Sequence, residues 1–151
     1  MRIRDKIKKP QRPVVAYEIL PPREKDGTLN AYAETISSLL SQTHIDAINI
    51  PEVHDEVGRG ERPVSNQERG EPRKFGMLLQ DIVGIEAIVN RVVVHMPLKK
   101  QMEWIQETYS QFEIDNLVIV GGESSKQKYP GPTVNESLQK ISQDNRLREH
   151  S

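Results

Sequence analysis

A single glutamate, Glu18, stands inside the apolar run VVAYEIL, and two prolines follow that run. A carboxylate withdrawn from water is costly unless it is paired or protonated, so this position calls for a partner or a use. Three further polar groups fall at comparable places: Asn49 in AINI, His95 in VVVHMP, and Glu123 just after the Gly121–Gly122 pair that closes NLVIVGG. Side chains alternate along a strand. Glu18 therefore shares a face with Ala16 and Leu20, opposite Val15, Tyr17 and Ile19, and His95 shares one with Val93. Each run delivers one polar group near the same edge. A carboxyl in apolar surroundings has its pKa raised by desolvation and keeps a proton for general-acid work near neutral pH. A salt bridge is the structural alternative for Glu18, and a structural hydrogen bond is the alternative for His95.

Other candidates stay open between two readings. The GGESS segment suits phosphate contact through backbone N–H groups and suits an ordinary turn equally, because Pro130 and Pro132 delay any helix. Arg59, Arg62 and Arg69 could grip a phosphate bidentately. They share their stretch with Glu52, Asp55, Glu56, Glu61 and Glu68, which reads as well as a solvated charge cluster. No P-loop, GxGxxG, HExxH or GxSxG pattern occurs. His44, His54, His95 and His150 show no metal-ligand spacing, so no metal site is expected.

The elements that must position these groups follow from apolar periodicity. Residues 14–20, 46–50, 87–96 and 116–120 are nearly continuous in apolarity and rich in Val and Ile, as strands covered on both faces are. Helical stripes lie between them. Leu29, Tyr32, Ile36, Leu39 and Leu40 share a face behind Thr28 as N-cap. Residues 71–84 form a second helix, with Pro72 in its first turn and Gly84 as its stop. Leu98, Met102, Ile105 and Tyr109 mark a third, and Thr133 with Glu136 has capping-box spacing for a fourth. The order β-α-β-α-β-α-β-α predicts an α/β fold of parallel strands with right-handed crossovers. The long connections 51–71 and 121–132 both follow strands, at the edge where α/β proteins carry their sites. A basic lead over residues 1–13, four βα units over 14–144 and a polar tail over 145–151 complete the organisation.

Composition bounds the partners. The chain has 151 residues, 35% of them hydrophobic, and a formal charge of −1, which offers no electrostatic case for nucleic acid or an anionic membrane. Cysteine is absent, so disulfides and thiolate sites are excluded. The charged start MRIRDKIKKPQRP lacks a signal-peptide apolar region, and no apolar run approaches the ~18 residues of a membrane span. A soluble, cytoplasmic protein is expected.

Taken together, YEILPP, VVVHMP, NLVIVGGES and YPGPTVNES resemble the methylenetetrahydrofolate reductase family of flavin-dependent (βα)8 barrels. The family's first strand reads like FEFFPP, a histidine ends its third strand, and its fourth runs into glycine and an acidic residue, often LRGD. Here Glu123 replaces the usual aspartate, Gly121 stands where many members carry arginine, and Pro51 where others have threonine. The resemblance implies FAD as cofactor, NAD(P)H as electron donor and a folate substrate. Glu18 would be the proton donor, Glu123 would tune charge beside the flavin and folate, and His95, Gly122 and Glu123 would contact the flavin. A barrel of this kind needs about 250 residues, so the chain resembles its first half. The implied function is reduction of 5,10-methylenetetrahydrofolate to 5-methyltetrahydrofolate. The alternative is a half-barrel without activity of its own, acting in assembly. Self-association or a partner carrying the second half is expected in either case.

Overall fold

Apolar runs separated by amphipathic stretches fold as the alternation requires. The computed structural model describes residues 2–52 and 69–148. Its elements run α1 (Ile3–Lys8), β1 (Ala16–Glu18), α2 (Leu29–Leu40), β2 (Ala47–Ile50), α3 (Pro72–Val83), β3 (Ala87–Val92), α4 (Leu98–Phe112), β4 (Asn116–Val120), α5 (Val134–Gln143) and α6 (Asn145–Arg148). The helix boundaries come from local chemistry. Thr28 Oγ1 accepts from Ala31 N at 3.2 Å to open α2. Glu71 accepts from Lys74 N at 2.9 Å ahead of Pro72, and Gly84 ends α3 in the left-handed region. The capping box forms in full: Thr133 Oγ1 accepts from Glu136 N, and Glu136 Oε2 accepts from Thr133 N.

The four strands lie in the order β1-β2-β3-β4, all parallel. With right-handed crossovers, successive steps in one direction place every connecting helix over the same face. Accordingly α2 packs on α3, α3 on α4 and α4 on α5. The main core lies between that helix layer and the middle of the sheet. It contains Ile19, Ile36, Leu40, Ile48, Ile50, Phe75, Leu79 and Ala87, with the Phe75 ring tilted against Tyr32 at 5.7 Å. Among the described residues the opposite face carries no helix. Ala16, Glu18 and Val118 are exposed there, and Asn49, Ile88, Asn90 and Val120 are half-buried.

Two expectations need correction. The first strand is shorter than residues 14–20, and none of its residues is buried, because it has a strand neighbour on one side only. The third stops at Val92, and residues 93–95 turn as a 3-10 helix instead of running on to 96. Its pairing with β4 ends at Val92↔Val120, and Gly121 and Gly122 follow. The basic lead is also structured. It forms α1, whose Ile3 is buried and whose Ile3 N–H bonds the Glu86 carboxylate at 2.5 Å. Lys6 and Arg12 reach the buried Asp46 carboxylate at 2.9 and 2.7 Å. No described helix is long and apolar enough to cross a membrane.

Candidate functional site

Strand register decides which candidate residues meet. Glu18 lies opposite Asn49 across β1 and β2, and Asn49 Nδ2 donates to Glu18 Oε2 at 3.1 Å. The pair sits on the helix-free face. Glu18 is exposed, which corrects the expectation that burial holds its proton. Desolvation needs apolar neighbours on both sides of the strand, and β1 has β2 alone. Among the described residues Asn49 is its hydrogen-bond partner, and neither His95 nor Glu123 bonds to it. One position further along the same face, Asn90 Oδ1 is buried with no hydrogen-bond partner among the described residues.

His95 and Gly122 form a second group, joined by a residue the sequence did not single out. His95 ends the 3-10 turn after β3, and its ring meets Tyr129 edge-on with centroids 5.7 Å apart and planes at 77°. Tyr129 lies across Gly122 so closely that a Cβ there would stand 2.2 Å from Cε2 and 2.3 Å from Cζ. Only a residue without a side chain admits the ring. The tyrosine hydroxyl accepts from Ser124 N at 2.9 Å, closing residues 124–129 on themselves. The loop is anchored by Gly131 N donating to Val94 O at 2.8 Å. A Cβ on Gly131 would meet Met96 O at 2.4 Å and Val93 O at 2.6 Å. Glu123 is exposed, immediately beyond this contact.

The charge cluster expected after β2 divides. Arg59 and Arg62 lie outside the described residues. Arg69 donates to Pro21 O at 2.8 Å and lines, with Pro21, Pro22, Pro51, Glu52 and Lys74, a cleft of about 630 Å³. Glu52 is not a solvated charge. Its Oε1 accepts from Arg91 at 2.7 Å and its Oε2 from Val92 N at 2.7 Å. It thereby satisfies a backbone donor of β3 beyond the last β2–β3 pair, Ile50↔Val89. Arg91 is buried, donates to Gln101 Oε1 at 2.8 Å and stacks on Trp104 at 4.3 Å from the ring centroid. Burial draws the Arg91 pKa below its ordinary value, and Glu52 opposes that shift. Gln101 completes the network by donating to Val93 O at 2.8 Å, so a buried polar chain runs from the end of β2 to the turn carrying His95. A charge inside NRVVV was the available signal for Arg91. Tyr129 gave none, being one aromatic in a Pro- and Gly-rich loop.

No protein-family model matches the chain, and no curated protein matches it. The functional reading therefore rests on the residues and their arrangement.

Proposed function

We propose that these four βα units are the β1–β4 half of a barrel of the methylenetetrahydrofolate reductase type. In this reading the barrel is cytoplasmic and reduces 5,10-methylenetetrahydrofolate to 5-methyltetrahydrofolate. The observation that carries the reading is the Glu18–Asn49 pair on the helix-free face, at the strand ends that also present His95 and Gly122. Sequential parallel strands with helices over one face are the architecture of one half of a closed barrel. The remaining strands would come from a second copy or from other polypeptide. The unmet Asn90 acceptor supports the reading too, because a buried group left unpaired costs about 1–3 kcal/mol and a donor on a ligand or covering layer would satisfy it.

The His95 imidazole and the Tyr129 ring that Gly122 admits offer aromatic surface to a planar ring system, which is how the residues present fit FAD. Bound flavin, re-reduced by NAD(P)H, would supply the hydride. Glu18 would deliver a proton to the nitrogen that leaves when the folate's five-membered ring opens. That role calls for the helix-free face to be covered and water excluded. Asn49 holds the carboxyl in place. Glu123 would act on charge developing in the transition state.

Flavin content after dialysis tests the reading first. The isolated chain is expected to retain little FAD, and a stoichiometric yellow protein would overturn the half-site argument. In any preparation that turns over, Glu18→Gln should slow folate reduction by about 10²–10⁴ and spare flavin reduction by its donor. Equal loss in both half-reactions would make Glu18 structural. Exposed Val15 and Tyr17 at the β1 edge, with Val118 on β4 at the other, favour a second reading in which the chain acts as an assembly partner. Sedimentation equilibrium tests it: a monomer at all concentrations would rule out self-association.

A further inference from the structure

We propose that the two open edges of the sheet fit each other: β4 of one chain pairs in parallel with β1 of a second copy, and the same contact made in return closes eight strands into a barrel. The proposal rests on the half-barrel part of the reading above and is independent of its flavin chemistry. Among the described residues β1 pairs with β2 alone and β4 with β3 alone. Ile19 N donates to Asn49 O at 2.9 Å, and Val15 O accepts from Asp46 N at 2.7 Å. Backbone groups of successive residues point to opposite sides of a strand, so those of Ala16 and Glu18 face outwards, a template for another strand. Head-to-tail contacts form a ring when the rotation closes, and eight is the strand number at which a parallel sheet with helices outside closes. Closure also covers the helix-free face on which Glu18 stands exposed.

Charge gives the two edges their polarity. The lead crosses the amino ends of the strands in the order β4, β3, β2. Arg2 pairs with Asp115 at 3.5 Å, Ile3 N donates to the Glu86 carboxylate at 2.5 Å, and Lys6 pairs with Asp46 at 2.9 Å. Each of these acids immediately precedes its strand. The same path continues towards β1 and carries the exposed Lys8 and Lys9 to that side. At the opposite edge the exposed Glu113 lies in the turn between α4 and β4. Neither lysine nor the Glu113 carboxylate has an ion-pair partner among the described residues. Parallel pairing sets the amino end of β4 beside the amino end of β1. It therefore sets Glu113 of one copy beside Lys8 and Lys9 of the other, and does so at both contacts of the dimer.

Sedimentation equilibrium of the full chain tests this. Wild type is expected as a dimer with no larger species. Lys8→Glu with Lys9→Glu in one chain, and Glu113→Lys in another, each set like charges together at both contacts. Each is expected to raise the dimer dissociation constant about tenfold, since surface pairs are individually weak and act here twice. An equal mixture of the two variants is expected to recover wild-type affinity, because both contacts of the mixed dimer then join opposite charges. High salt should erase these differences. Ala16→Pro removes one outward N–H and is tolerated on an open edge, so it is expected to give a folded monomer. A wild-type monomer at all concentrations would overturn the proposal and leave the edges to a different polypeptide. A mixture no tighter than its components, or a dimer that survives Ala16→Pro, would overturn the head-to-tail pairing, and filaments would overturn closure by one copy. The proposal fails on mass alone, whereas the reductase reading fails on the flavin and half-reaction measurements above.

Discussion

Tyr17 and Ile48 are partners in register across β1 and β2, yet one is 44% exposed and the other 0%. Both belong to apolar, β-branched or aromatic runs of the kind that reads as a buried strand. The difference lies in their neighbours. Ile48 has a strand on each side and lies under α2 and α3 in the main core, whereas Tyr17 lies on an edge strand. Burial is therefore a property of the assembled sheet, and an apolar run specifies only readiness for it. The same contrast separates Arg91 from Glu18. Each is a charge inside an apolar run, but the interior strand gives Arg91 a carboxylate, an amide and an indole, while the edge strand gives Glu18 one asparagine and open solvent.

The largest effect that sharpens this contrast is expected in the interior. Phe75 is fully buried, and Phe75→Ala should cost about 3–5 kcal/mol, while Tyr17→Ala should cost under about 1 kcal/mol. Urea midpoints at constant slope measure both, and equal losses would break the comparison. Next is Arg91→Ala, which removes the paired cation from a Glu52 carboxylate only 14% exposed and should cost about 3 kcal/mol. The exposed Arg2–Asp115 pair at 3.5 Å should be silent when Arg2 is removed, because surface pairs contribute little. A smaller, pH-dependent effect belongs to Asp46. The Val15 N–H, Lys6 and Arg12 hold its carboxyl well below the usual range. Its stabilisation is therefore complete above the unfolded value of about 3.9 and is lost as pH falls through the folded value. Asp46→Asn should lower the midpoint by several degrees at pH 7 and flatten the fall in stability below about pH 4. An acid limb unchanged by the substitution would remove Asp46 as the clasp between the lead, the edge strand and β2.

The alternation of elements, the parallel sheet, β4, α4, the caps at Thr28 and Thr133 and the stop at Gly84 were legible in the sequence because each depends on periodicity or on a residue within a few positions. Where β3 ends was not. Its apolar run continues through Val94, and the limit is set by β4, which gives out at Val120, and by Glu52 and Gln101, which take up the next backbone groups. The charged sequence of α1 concealed Ile3, which is buried and whose N–H bonds Glu86, far along the chain. In the candidate site, His95 and Gly122 were legible as strand-end residues, but the ring that joins them comes from a loop with no periodicity. Glu18 was legible as a residue apart, and its exposure was not, because that follows from an open edge. Arg91 was open to the reasoning applied to Glu18, since a charge within valines needs a partner whichever its sign.

Trp104 is the chain's one tryptophan, and it lies beneath the Arg91 guanidinium at 4.3 Å and the Arg73 guanidinium at 4.5 Å. Two cations beside an indole set the electric field in which it emits. Its fluorescence therefore reports on the junction of α3, β3 and α4 and is indifferent to fraying at β1 or β4. Tyrosine emission carries the complementary signal, since Tyr17 lies on the open edge and Tyr129 in the loop over Gly122. Excited at separate wavelengths, the chain carries two optical gauges, one for its middle and one that includes its margins.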